Sequence, residues 1–147
     1  MEQISNFIGD YGFLSNFYDS EIIDNDGIKY KTVEHYYQAQ KTLDLNDQEK
    51  IRNSPSPGIA KKLGRKVVMR NDWDKVKIFI MEKALRMKFN QNLELKKKLI
   101  ETNGYELIEG NWWHDTYWGV CNGKGQNHLG QLLMKLRNEY ILGLTKF

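Results

Sequence analysis

Thr32-Val33-Glu34-His35-Tyr36-Tyr37-Gln38-Ala39-Gln40-Lys41 is the stretch on which the architecture of this 147-residue chain turns. Thr32 suits an N-cap, because its hydroxyl can take an N–H that the first helical turn leaves unpaired. Glu34, in that first turn, complements the helix dipole. Together they predict a helix over 33–43. At 100° per residue, Glu34, Gln38 and Lys41 sit at i, i+4 and i+7 and point the same way within about 40°. A carboxylate, an amide and an amine on one rigid stripe can move protons or attack a carbonyl-like carbon. The same spacing also suits a solvated face with one Glu/Lys pair.

Upstream, Glu21-Ile22-Ile23-Asp24 and Ile28-Lys29-Tyr30-Lys31 flank Asn25-Asp26-Gly27. This predicts a β-hairpin whose turn uses a positive φ at Gly27. Residues 7–18 carry aromatics without periodicity and read as a loop or short strand. Downstream, a short helix is expected over 46–53. Ser54-Pro55-Ser56-Pro57-Gly58 then breaks the chain, with Ser56 as N-cap and Pro57 as first residue of the next helix. Asp72 should cap the longest helix, 73–90, where Trp73, Val76, Ile80, Ala84 and Leu85 recur at helical spacing. Helices over 93–102 and 126–142 carry apolar stripes of Leu95, Leu99 and Ile100, and of Leu129, Leu132, Leu133, Leu136 and Tyr140. Tyr105–Gly110 reads as a strand.

The length fits one domain, 1–147, with a core of its own. Apolar residues make up 40% and charged residues 28%, the balance of a globular chain. No apolar run approaches the length of a membrane span. The start, Met1-Glu2-Gln3-Ile4-Ser5-Asn6, lacks a basic segment followed by an apolar run. With Cys121 as the one cysteine, a cytoplasmic location is expected, and Cys121 is expected to be a buried, inert thiol.

Two further stretches bear on chemistry. Lys61, Lys62, Arg65, Lys66 and Arg70 fall within ten residues that contain no acid. That run suits phosphate, on a nucleotide or a nucleic acid, or forms a basic solvated helix. The net charge of +3 is small for a dedicated duplex-binding surface. Between Asn111 and Asn127, Trp112, Trp113 and Trp118 lie among Asn, Asp, His and Gly. Aromatic faces suit a base or sugar, and glycine permits close backbone approach. Gly123-Lys124-Gly125-Gln126-Asn127 leads into a helix and is weighed as an anion site. His35, His114 and His128 follow no metal-ligand spacing, so neither a metal nor a cofactor is expected.

Four blocks then resemble one family: Tyr11-Gly12-Phe13-Leu14-Ser15-Asn16-Phe17, the 32–41 stretch, Ile59-Ala60-Lys61-Lys62-Leu63-Gly64, and Trp113-His114-Asp115-Thr116-Tyr117-Trp118-Gly119. In that order they are similar to the YbiA-like family, also called NADAR, over nearly the whole chain. The resemblance implies a cytosolic, metal-independent N-glycosidase. One branch of the family cleaves phosphoribosylamino-pyrimidine intermediates of riboflavin synthesis, and another removes ADP-ribose from guanine. It assigns catalytic roles to Glu34, Lys41 and Asp115, and a site role to Trp118 beside Gly119.

A glycosylamine carbon can open to an imine, which a neutral Lys41 amine could attack, holding the sugar as a Schiff base. Glu34 would shuttle protons, with Asp115 as second acid/base. In the alternative, Glu34 or Asp115 activates water directly and Lys41 only positions a hydroxyl or phosphate. Phe13, Ser15, Asn16 and Phe17 would form the opposite wall, with Gln38 beside Glu34. Lys61, Lys62 and Arg65 would take phosphate. The substrate is expected to be a phosphoribosyl or ADP-ribosyl small molecule, with nucleic acid only as an ADP-ribosylated substrate. No membrane partner is expected, and the oligomeric state is left open. A module that binds ADP-ribose or a nucleotide without turnover is the competing reading. The expected fold is α+β, predominantly helical, with a small hairpin-based sheet and with loops 11–17 and 111–119 meeting over the 33–43 helix.

Overall fold

A computed structural model describes residues 2–144; Met1 and 145–147, the ends of the expected 1–147 domain, lie outside the described residues. In chain order the elements are β1 (Glu2–Ile4), a 3₁₀ helix (Gly9–Leu14), β2 (Ile22–Ile23), β3 (Lys29–Tyr30), α1 (Val33–Ala39), α2 (Leu45–Arg52) and α3 (Pro57–Gly64). There follow α4 (Trp73–Asn90), α5 (Leu93–Glu101), β4 (Tyr105–Leu107), β5 (Gly110–Asn111), β6 (Val120–Cys121) and α6 (His128–Ile141). The fold is α+β and mostly helical, as the periodicity predicts. Among the described residues, no helix is long and apolar enough to cross a membrane. The chain forms two compact units, residues 16–91 and residues 2–15 with 92–144.

In the 16–91 unit, β2 and β3 pair antiparallel, Ile22 opposite Tyr30 and Ile23 opposite Lys29. Gly27 takes φ +80°, the turn conformation expected of it. The Gln91 side chain grips the hairpin edge: its Oε1 accepts Ile23 N–H at 2.9 Å and its Nε2 donates to Ile23 O at 2.7 Å. The helix α1 packs on α2, α3 and α4, and all seven of its residues are buried. Seven residues do not hold a helix in water, so tertiary burial holds this one. Capping is as predicted at Thr32, which accepts His35 N–H, and at Ser56, which accepts Ile59 N–H with Pro57 following. Asp72 departs from expectation. It stands at the N-cap of α4 without a capping bond, because its carboxylate pairs with Arg70 at 2.6 Å.

In the other unit, β1 and β4 pair parallel, and so do β5 and β6. The helix α6 packs on β4 and α5. Arg137 of α6 donates to Thr102 O, Thr102 Oγ1 and Tyr105 O at 2.8–3.1 Å, satisfying the buried C-cap carbonyl of α5 and the first carbonyl of β4.

Four expectations are corrected. Residues 9–14 form a 3₁₀ helix, not a strand or plain loop. Among the described residues, strand pairing occurs in three two-stranded sheets instead of one hairpin sheet. Tyr105–Gly110 divides into β4 and the start of β5. The helix expected over 33–43 stops at Ala39, so Lys41 lies in the turn beyond it. None of these carries a hydrophobic period of its own; each is made by a distant partner strand or by a turn.

Candidate functional site

Glu34 sits in the first turn of α1 and is buried. Its N–H donates to the Asn16 carbonyl at 3.1 Å, and its Oε2 accepts Gln38 Nε2–H at 2.5 Å. Gln38 is one helical turn on, so the i, i+4 reading places it correctly. Its other amide atom, Oε1, is buried without a hydrogen-bond partner, and so is Asn16 Oδ1. Two such acceptors, each on a residue bonded to Glu34, ask for donors that the protein itself does not supply.

Lys41 is reached by the turn after α1, where its N–H bonds to Gln38 O. Burial pushes its ammonium pKa down; Glu34 works against that, while Arg65, Lys61 and Lys77 reinforce it. Lys61 on α3 and Arg65 at its C-cap are one turn apart, and Lys77 comes from α4. The basic run thus supplies two of the cations near Lys41. Lys62, about 100° round α3, is exposed. Lys77 was missed, because its nearness to Lys41 is a long-range fact with no local signal. The α3–α1 approach depends on Gly64: a Cβ there would fall on Gln38 Oε1 and within 2.9 Å of its Cδ.

Phe13 belongs to the expected aromatic wall. It is 5% exposed, with Lys98 Nζ 5.6 Å from its ring, which makes it a core side chain. Phe17 is 44% exposed and fits a wall role better. Ser15 is half-buried and caps the 3₁₀ helix through its N–H to Gly12 O.

Asp115 is bound into its own loop. Its Oδ1 accepts N–H from Tyr117 at 3.1 Å and from Trp118 at 2.9 Å. Asn111 brackets it, Oδ1 taking Asp115 N–H and Nδ2 donating to Asp115 O. Trp118 is half-buried, edge-on to Tyr117. Gly119 is required sterically, since a Cβ would strike Glu109 O and Oε2. Glu109 is a carboxylate that the sequence reading passed over, set in a strand-like stretch with nothing local to mark it. The anion site weighed at 123–127 is contradicted. The N–H groups of Gln126, Asn127, His128 and Leu129 are all used, by the carbonyls of Thr116, Gly119, Tyr117 and Trp118. Cys121 is buried, as expected, with its Sγ 3.9 Å from His114 Nδ1.

A buried, amide-held carboxylate on α1, with a cation-flanked lysine in the turn beyond it, forms the polar centre of the 16–91 unit. The NADAR domain profile matches residues 6–140, and the chain belongs to that family. It is 46% identical to the N-glycosidase YbiA of Shigella flexneri serotype 5b over 133 residues, covering 88% of this chain and 82% of that one. It is 38% identical to the riboflavin biosynthesis protein VVA0006 of Vibrio vulnificus, across 88% of this chain and 35% of that longer protein. The NMR structure of Escherichia coli YbiA matches with a TM-score of 0.85 at 41% identity, covering all of this chain and 91% of that one. By these likenesses the chain is an enzyme, a hydrolase of the N-glycosidase class.

Proposed function

We propose that this enzyme hydrolyses the C–N bond between a phosphoribose and an amine, as in early phosphoribosylamino-pyrimidine intermediates of riboflavin synthesis. The observation that carries this reading is the buried Glu34–Gln38 pair beside Lys41, Lys61, Arg65 and Lys77. The cations match a phosphate, and the unpartnered Gln38 and Asn16 oxygens match sugar hydroxyls or an amine N–H. The riboflavin biosynthesis relative supports the substrate class.

In this reading Glu34 protonates the leaving amine and later takes a proton from water. A lysine amine carries the sugar between those steps as an imine. The sequence nominates Lys41 as that amine. Asp115 shapes the loop that carries Trp118. Phe17 offers an aromatic contact for the base.

The test is turnover of a ribose 5-phosphate-bearing aminopyrimidine, followed by chromatography of the released amine, with ADP-ribosylated guanosine run alongside. Release from the aminopyrimidine alone supports the reading. Release from the guanosine conjugate alone moves the substrate to the ADP-ribosyl branch, and release from neither overturns both substrate classes.

A further inference from the structure

Among the described residues, three buried side-chain atoms lack a hydrogen-bond partner: Asn16 Oδ1, Ser20 Oγ and Gln38 Oε1. All three fall in the 16–91 unit, and two of them in residues 16–20. Buried polar atoms are ordinarily paired, so exceptions gathered in one unit ask what outside the chain completes them. The three are not alike. Gln38 spends its Nε2–H on Glu34, and its Oε1 packs against Gly64, where a Cβ would fall on it. Ser20 presents a lone hydroxyl, which reads no pattern. Asn16 presents a whole amide, two N–H donors beside a carbonyl with two lone pairs. One donor reaches Met81 Sδ at 3.5 Å, a thioether that accepts only weakly, and the carbonyl oxygen reaches nothing.

The main chain fixes where that amide stands. Asn16 O accepts Glu34 N–H at 3.1 Å, which ties the residue to the first turn of α1. Its side chain touches Met81, 1% exposed on α4. Asn16 is therefore held beside α1 by its backbone and not by strong bonds of its own side chain. Backbones joined by such a bond run about 5 Å apart, so Asn16 and Glu34 stand within the span of one base. Asn16 as a whole is half-buried. Turning the amide about its Cβ–Cγ bond gives up only the thioether contact and offers both ends to a ligand.

We propose that the Asn16 amide reads the leaving base, pairing bidentately with a ring edge that sets an N–H beside a C=O. The inference rests on the reading above, in which Glu34 works at the C–N bond and so brings the base alongside Asn16. A carbonyl and an N–H on one planar amide meet such an edge with two parallel hydrogen bonds, the device by which Asn and Gln read bases in nucleic acids. The other parts of the substrate fit less well. A sugar hydroxyl would engage one end of the amide and leave the other idle. A phosphate would take the N–H and repel the oxygen.

An N–H beside a C=O occurs on an aminopyrimidinone and on guanine alike, so the edge names a class of base and the two sources separate by affinity. The arrangement also fixes the sign of an effect on stability. Without a base, the amide is a poorly paired polar group in a partly buried place, which weakens the fold. Bound to a base, it is satisfied at both ends. A side chain of the same size with no amide should therefore bind the base less well and fold at least as well.

The probe is the triaminopyrimidinone that hydrolysis would release, titrated into the full chain by calorimetry. Guanosine is run beside it, and so is ortho-diaminobenzene, which keeps the vicinal amines and lacks the ring edge. The parent should bind the better of the two edge-bearing compounds about tenfold to a hundredfold more tightly than diaminobenzene, the worth of a bidentate pair. Whichever of the two it prefers identifies the source of the edge. Asn16→Leu should bind that compound and diaminobenzene equally, and should melt no lower than the parent. A variant that keeps the parent's preference overturns the inference. One that melts several degrees lower also overturns it, because the amide then serves the fold. Turnover of the aminopyrimidine substrate by a parent with no preference for the edge overturns this inference alone and leaves the proposed function standing. A parent that neither turns over that substrate nor binds either edge-bearing compound removes both.

Discussion

At the scale of single residues, Glu34 does two things that a surface carboxylate does not. Its N–H anchors Asn16, and its carboxylate is held by an amide that has a bare acceptor of its own. Glu34→Gln keeps the volume and removes the proposed proton carrier. The expected result is a loss in kcat of about 10²–10⁴ with little change in melting temperature; unchanged kcat would remove Glu34 from the chemistry. Its neighbour His35 is structural. The Ser54 carbonyl can only accept, so His35 Nε2 carries the proton at 3.1 Å, and Nδ1 accepts from the Thr32 hydroxyl at 2.8 Å. Burial lowers the His35 pKa, the Ser54 bond opposes this, and Lys31 adds to the lowering. The unfolded chain therefore binds the proton more readily, so stability from this group is present above the ordinary histidine pKa and is lost as pH falls below it. A thermal scan from pH 7.5 to 5 should show a decline that His35→Gln reduces; equal slopes in both proteins would contradict the assignment. The sequence made Glu34 and Gln38 legible because their relation is one helical turn. It gave no sign that His35 would be buried in a closed hydrogen-bond loop, since Ser54 is nineteen positions away.

At the scale of elements, caps and apolar stripes were readable because both are local. Thr32 and Ser56 each accept the N–H that their positions predict, and Asn92 caps α5 in the same way. What escaped were contacts between elements. The short parallel pairs β1–β4 and β5–β6 are created by partners remote in sequence, and α6 starts on a residue with unusual backbone. Asn127 has φ +54°, and its side chain bonds Glu109 N–H and Leu107 O instead of capping its helix. Close approach of elements also depends on missing side chains. A Cβ at Gly119 meets the Glu109 carbonyl, which is backbone and has no room to yield, whereas at Gly64 it meets the tip of Gln38. Gly119→Ala should therefore cost about 1–3 kcal/mol or more in stability, measured by urea unfolding. Gly64→Ala should instead show up mainly in activity, by turning Gln38 away from Glu34. If Gly64→Ala keeps parental kcat/KM, the orientation of Gln38 is not needed for catalysis.

At the scale of the whole molecule, charge decides more than hydropathy. Twenty-two Lys and Arg against nineteen Asp and Glu leave only +3, too little for a general affinity for polyanions. The significant quantity is local. Lys61, Arg65 and Lys77, from two helices, all act on Lys41. The basic run was visible in the sequence, but its convergence with Lys77 and Lys41 was not, because that follows from the packing of α1 on α3 and α4. A cluster of this kind attracts a dianion through water and is weakened by salt, as the screening length shrinks from roughly 10 Å at 0.1 M to 3 Å at 1 M. Raising sodium chloride across that range should increase KM for a 5-phosphorylated substrate several-fold and leave kcat nearly unchanged, because the proton transfers proposed for buried Glu34 would be little screened. The corresponding substrate without its phosphate should have a high KM that salt does not move. Lys61→Ala combined with Arg65→Ala should bring the phosphorylated substrate to that same high, salt-insensitive KM. A KM that stays flat in salt for the phosphorylated substrate would place the phosphate elsewhere and leave the cluster as a solubilising surface.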